Sequence, residues 1–85
     1  MGGILDLGIA FGKVLRKLRI ESGLTQEQFG FSADLRRTYV SILELGQQQP
    51  SLTSIFKIAN ALNIPAGKLI DMVEREMNTT TRRRG

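Results

Sequence analysis

The chain has 85 residues, of which 41% are hydrophobic and 24% charged, and it contains neither cysteine nor histidine. This length supports one small hydrophobic core, and this composition is typical of a globular domain. Without cysteine there are no disulfides or thiolate metal sites. Histidine is the usual general base and the commonest metal ligand, so its absence argues against an enzyme or a metal protein. The net charge of +4 favours a polyanionic partner.

The two ends of the chain differ in composition from its body. No apolar run approaches the roughly 20 residues of a membrane helix, and the start lacks the charged region of a signal peptide, so we expect a cytoplasmic protein without a membrane partner. We expect a flexible N-terminus at residues 1–6, one domain at 7–77 and a disordered basic tail at 78–85. The arginines at 82–84 carry three of the four net charges. They either increase the solubility of the chain or contact DNA phosphates without base specificity.

Every long segment has apolar residues at helical spacing, and none alternates as a strand does. The predicted helices cover residues 7–22, 26–32, 36–45, 52–62 and 66–77. Gly23 and Gly46 are natural helix ends, residues 25–28 fit a capping box, and Ser51 after Pro50 is a natural N-cap for a fourth helix with Leu52 at core spacing. Five short helices with short links predict an all-α bundle.

The second and third helices, with a tight link at residues 33–35, match a helix-turn-helix. On a helical wheel, Tyr39, Val40 and Leu43 form the core side of the third helix. The opposite face carries Arg37, Thr38, Ser41 and Ile42. A helix in the major groove presents such a face to the base edges, although the wheel alone also fits ordinary solvated surface.

Four segments together resemble the Xre family, the helix-turn-helix regulators of the Cro and phage-repressor type. They are LTQEQFG at 24–30, RTYVSILELG at 37–46, PSL at 50–52 and ANALNIP at 59–65. The resemblance covers about Phe11 to Ile70. It implies a five-helix lambda-repressor-like DNA-binding domain that binds double-stranded DNA and needs no cofactor, metal or small-molecule ligand. Small restriction–modification regulators, phage repressors and antitoxins share this layout.

The resemblance also implies roles for individual positions. The candidate base readers on the third helix are Arg37, Thr38, Ser41 and Ile42. The candidate phosphate contacts are Gln26, Arg36, Gln47, Gln48 and Ser51. Arg19 and Glu44 match a structural ion pair, so we expect them to stabilise the domain and not to contact DNA.

Some positions depart from the family pattern. Gly30 replaces the usual alanine, so we expect looser packing between the second and third helices, by up to about 1 kcal/mol. Arg36 stands where a capping residue is common, which leaves the third helix capped by Asp34 or by nothing. The glutamines at 47–49 replace basic residues, and neutral amides release no counterions from DNA, so we expect modest affinity.

The fifth helix carries more apolar residues than one small core obviously needs. We expect Leu69, Met72, Val73 and Met77 either to pack on the first and fourth helices or to form a homodimer surface, with Ile4 and Leu5 joining it. The leading function is a dimeric, sequence-specific transcriptional regulator on a palindromic operator. The alternative is an antitoxin or adaptor whose helix-turn-helix is degenerate, which the neutral glutamine loop favours and the basic start of the third helix opposes.

Overall fold

The computed structural model describes residues 4–84 of the chain, with side chains described from residue 7 to residue 79. The described residues form five α-helices and no strand. They are α1 (Ile4–Glu21), α2 (Gln26–Ala33), α3 (Arg37–Glu44), α4 (Leu52–Ala61) and α5 (Ala66–Arg84). The predicted all-α, five-helix architecture is confirmed.

The outer helices are longer than the sequence predicted. α1 begins at Ile4, and α5 continues to Arg84 instead of ending at residue 77. Residues 4–6 and 78–84 are therefore helical, where a flexible N-terminus and a disordered tail were expected; residues 1–3 and 85 lie outside the described part. No glycine or proline occurs between residues 68 and 84, so nothing in that segment interrupts the hydrogen-bond ladder.

The predicted stop signals and caps lie where expected. Gly23 and Gly46 have φ angles of 76° and 74°, which residues with a Cβ atom adopt at a cost. In the capping box, the amide of Gln28 donates to Thr25 Oγ1 at 3.0 Å and the amide of Thr25 donates to Gln28 Oε1 at 2.9 Å. Ser51 caps α4 by accepting from the amide of Ser54 at 3.1 Å. These local bonds fix the start of α2 and α4.

The turn between α2 and α3 is closed by Asp34. This residue takes the left-handed conformation, with φ of 59° and ψ of 46°, which aspartate tolerates better than most residues. The ammonium of Lys57 lies 3.2 Å from its carboxylate and 3.2 Å from its carbonyl oxygen. Arg36 is the N-cap of α3 and makes no side-chain cap hydrogen bond, so Asp34 shapes the turn without capping the helix.

One hydrophobic core holds the five helices together, and every helix contributes to it. The largest side chains with no exposed surface are Leu15, Phe29, Val40, Leu43, Ile58 and Leu69. α1 packs against α3 and α5, while α2 packs against α3 and α4. Val40 and Leu43 lie inside and Tyr39 is half-buried, which confirms the predicted core side of α3.

The apolar residues of α4 and α5 are divided differently from the prediction. Leu69 and Val73 lie in the core between the helices, so for these two residues the packing alternative is correct and the dimer-surface alternative is wrong. Met72 and Met77 are half-buried and pack against that core. Leu52, which shares core spacing on the wheel, is 72% exposed. A helical stripe is wider than the area its neighbours cover, and the spacing alone does not show which edge stays open.

The expected loosening at Gly30 is wrong. A Cβ atom on Gly30 would lie 2.6 Å from the carbonyl oxygen of Leu35, so the absence of a side chain lets the turn backbone pack directly on α2. Gly12 does the same for α1 and α3, since its Cβ atom would lie 2.5 Å from the carbonyl oxygen of Leu43. Both glycines set the distance between helices.

We predict that Gly30→Ala destabilises the domain by about 1–3 kcal/mol, because backbone has to move to admit the methyl group. Gly67→Ala is the matched control: nothing lies within 4 Å of its Cβ position, so its stability should stay unchanged or rise by up to about 1 kcal/mol. Urea unfolding followed by circular dichroism measures both. Equal midpoints for Gly30→Ala and the unmodified chain would contradict the close approach.

Candidate nucleic-acid interface

The face of α3 opposite the core is open and carries polar and basic side chains. Arg37 and Thr38, in the first turn, are exposed, and Ser41 and Ile42, one turn later, are half-buried. Since Val40 and Leu43 are anchored inside, the helix cannot rotate to hide this face. The four candidate base readers therefore line one surface of a fixed helix.

A buried ion pair ties the end of α3 to α1. Arg19 Nε donates to Glu44 Oε2 at 2.5 Å and Arg19 Nη2 donates to Glu44 Oε1 at 3.0 Å, which makes the pair bidentate. The two side chains are 10% and 2% exposed. The hydrogen bond with Glu44 raises the pKa of Arg19 above its ordinary value against the opposing effect of burial. The ion pair expected from the sequence is present.

The same arginine also fixes the link between α1 and α2. Arg19 Nη1 donates to the carbonyl oxygen of Leu24 at 2.8 Å. One guanidinium thus joins three elements: its own helix, the loop before α2 and the last turn of α3. Among the residues whose side chains are described, every buried side-chain nitrogen and oxygen has a hydrogen-bond partner.

Gln26, the first residue of α2, is joined to this ion pair. Its Nε2 donates to Glu44 Oε1 at 3.0 Å, although the two residues are 18 positions apart. The side chain is half-buried and lies in a shallow open depression that Arg19, Thr25, Glu27 and Arg37 also line. A candidate phosphate contact and a candidate base reader therefore border the same depression.

A second hydrogen-bond chain joins α3 to the start of α4. Ser51 Oγ donates to Ser54 Oγ at 3.0 Å, and Ser54 Oγ donates to the hydroxyl of Tyr39 at 3.1 Å. The hydroxyl of Ser51 is therefore occupied inside the protein. From the sequence, Tyr39 was assigned only to the core, and this link was missed. A tyrosine on the core side of a helix was the available signal, because a buried tyrosine hydroxyl needs a hydrogen-bond partner.

The remaining candidate phosphate contacts lie on the surface at the two ends of α3. Arg36, before α3, and Gln47 and Gln48, after it, are exposed. The backbone amide of Gln47 donates to the carbonyl oxygen of Ile42 at 3.1 Å, so the loop starts from a fixed position. The side chains of the arginines at 82–84 lie outside the described part. No cluster of carboxylates that could hold a metal ion occurs among the described residues.

A capped short helix, a left-handed turn and a second helix with an open basic face define a helix-turn-helix domain. The helix-turn-helix family model HTH_3 matches residues 15–69, which is more than half of the chain. The chain therefore belongs to the helix-turn-helix family, whose Xre-like members are DNA-binding transcriptional regulators and not enzymes. The resemblance noted in the sequence is confirmed.

Three relatives show where in this family the chain lies. It is 42% identical over 72 residues to control protein C.MunI of Mycoplasma sp, covering 84% of this chain and 97% of that protein. It is 37% identical over 67 residues to control protein C.BamHI of Bacillus amyloliquefaciens, covering 78% and 83%. The restriction–modification controller protein C.AhdI from Aeromonas hydrophila, whose crystal structure is known, is 44% identical in sequence. Its structure matches with a TM-score of 0.70 over 73% of this chain and 94% of that chain.

We predict that Glu44→Ala destabilises the domain by about 3–5 kcal/mol, since it leaves the Arg19 guanidinium buried without its partner. Glu74→Ala, which removes an exposed carboxylate from α5, is the control and should change stability by less than about 0.5 kcal/mol. Thermal unfolding of both variants decides the matter. Similar midpoints for the two would show that the ion pair contributes little.

Proposed function

We propose that the protein is a sequence-specific transcriptional regulator that inserts α3 into the major groove of DNA. The observation that carries this proposal is the division of α3, with Val40 and Leu43 fully buried and Arg37 and Thr38 exposed. An exposed arginine can grip guanine O6 and N7 with two hydrogen bonds. Hydroxyls such as those of Thr38 and Ser41 can bond several bases, and Ile42 can contact a thymine methyl.

Backbone phosphates on either side of the groove would hold the domain in register. We assign this role to Gln26, Arg36, Gln47, Gln48 and Ser51. Because four of these five side chains are uncharged, few counterions are released on binding. The affinity should therefore depend on salt less steeply than in a regulator with a basic loop. The Ser51 hydroxyl donates inside the protein, so this position would contact phosphate through an amide at the start of α4.

A homodimer on a palindromic operator fits a domain with one recognition helix, because a single helix reads only a few base pairs. Three large apolar side chains stay exposed on α4 and α5: Leu52 at 72%, Phe56 at 59% and Ile70 at 46%. Ile70 and Met77 also line an apolar groove of about 340 Å³ between α1, α4 and α5. We propose a second copy as the occupant of this surface, since a two-fold operator requires a self-complementary contact.

The relatives narrow the biological role. C.MunI and C.BamHI carry the name control protein, and C.AhdI is a restriction–modification controller. We propose that this chain is likewise a controller of restriction–modification genes and acts in the cytoplasm. No helix among the described residues combines the length and apolar character needed to cross a membrane.

We predict that Arg37→Ala lowers affinity for the preferred sequence about 10- to 100-fold and removes the base preference at one position, since a bidentate contact to guanine is lost. The measurement is selection of bound fragments from a random DNA pool, followed by gel shifts at several salt concentrations. Lys17→Ala removes one positive charge from the groove between α1 and α5 and should leave the base preference intact.

The same selection separates the regulator from the alternative function. A helix-turn-helix that serves only as an antitoxin or adaptor surface would enrich no sequence from the pool. Its weak DNA binding would respond equally to Arg37→Ala and Lys17→Ala.

We predict that Phe56→Glu weakens dimerisation at least about tenfold, because the dimer would have to bury an unpaired charge. Phe31→Glu is the control: this phenylalanine on α2 is 91% exposed and lies outside the proposed interface. Sedimentation equilibrium over a range of protein concentrations measures both. Loss of the dimer in Phe31→Glu alone would move the interface to α2.

A further inference from the structure

We propose that Glu44 is a positioning residue for DNA binding, which holds the amide of Gln26 so that it can donate to a backbone phosphate. The proposal rests on the proposed function. In it, the buried ion pair both stabilises the domain and positions Gln26 for DNA binding. The observation behind it is the hydrogen bond from Gln26 Nε2 to Glu44 Oε1 at 3.0 Å.

The chemistry of the two groups fixes which way the amide faces. An ionised carboxylate only accepts hydrogen bonds, whereas a glutamine amide has a donor end and an acceptor end. Gln26 must therefore turn its nitrogen toward Glu44 and its oxygen away. One Nε2 hydrogen is used in this bond, and the second stays available on the same nitrogen. A phosphate accepts hydrogen bonds, so this second Nε2 hydrogen is the group that Gln26 can offer to DNA.

Arg19 makes this arrangement compatible with a negatively charged ligand. A free carboxylate beside the phosphate would repel it. Here Arg19 donates to both oxygens of Glu44, and Oε1 accepts from Arg19 and Gln26 together. The ion pair thus offers Gln26 a fixed acceptor whose charge is balanced. With its side chain 2% exposed, Glu44 cannot reach DNA itself and acts only through Gln26.

The position of Gln26 relates this device to base recognition. Gln26 and Arg37 line the same depression, so the phosphate held by the amide would lie near the bases that Arg37 reads. A glutamine that is ordered on folding loses little further side-chain freedom when it binds. A surface glutamine without a partner would lose that freedom at the moment of binding.

The test combines variants with neutral phosphates. The unmodified chain, Gln26→Ala, Glu44→Gln and the double variant are titrated with the selected DNA fragment. They are also titrated with fragments in which one phosphate at a time is replaced by a methylphosphonate. For the unmodified chain, we expect neutralisation of one phosphate in each half-site to cost about tenfold in affinity, as a charged hydrogen bond does.

Both single variants should lose the sensitivity at that one phosphate, and the double variant should bind no worse than Glu44→Gln. Affinities are expressed per folded molecule, with the folded fraction measured by circular dichroism. Ile58→Val, a core change away from the surface, is the control for lost stability and should keep the sensitivity. If Glu44→Gln does not fold, Glu44→Asp is used instead. Its shorter side chain keeps the charge but moves the acceptor away from Gln26, so the sensitivity to that phosphate should again be lost.

Two results would overturn the proposal while leaving the regulator intact. One is a folded Glu44 variant whose affinity still depends on the charge of that phosphate, although the affinity of Gln26→Ala no longer does. The other is a double variant whose loss of binding free energy equals the sum of the losses in Gln26→Ala and Glu44→Gln. Failure of the unmodified chain to select any sequence overturns the proposed function and this inference together.

Discussion

The Arg19–Glu44 ion pair joins the end of α1 to the end of α3, and the placement of the open face of α3 depends on it. Removing two charges from water is costly, and the pair recovers that cost only through good geometry and further hydrogen bonds. Both are present, since the contact is bidentate and Leu24 and Gln26 complete the shell. A shift of α3 relative to α1 would leave these buried charges without full pairing, which costs free energy.

Close backbone contacts at two glycines also hold α3 in place, beside the ion pair. Gly12 lets α1 approach the carbonyl oxygens of Leu43 and Glu44, and Gly30 lets the turn approach α2. α3 is therefore held by a directional charge contact at its end, by close backbone contact from α1 and by two buried side chains beneath it. A short helix with no side-chain cap at its start needs such outside support, because isolated helices of eight residues are unstable in water.

Local signals made much of the fold predictable, and contacts between distant residues account for what was missed. Caps at Thr25 and Ser51 and the stop at Gly46 depend on neighbours a few residues away, so they can be identified in the sequence. The link between Gln26 and Glu44 spans 18 residues, and the need for glycine at position 30 arises from a carbonyl across a turn. Neither leaves a local signal. The choice between core and dimer surface that stayed open for Leu69 and Val73 has the same origin, since spacing identifies an apolar stripe but not the neighbour that covers it.

Tyr39 is the only tyrosine of the chain, and there is no tryptophan. The intrinsic ultraviolet emission of the protein therefore comes almost wholly from one ring, whose hydroxyl bonds to Ser54 on the next helix. Separation of α3 from α4 would change that emission, while fraying at the chain ends would leave it unaltered. The single tyrosine is thus an intrinsic fluorescent probe of the packing of α3 against α4, and no added label is needed.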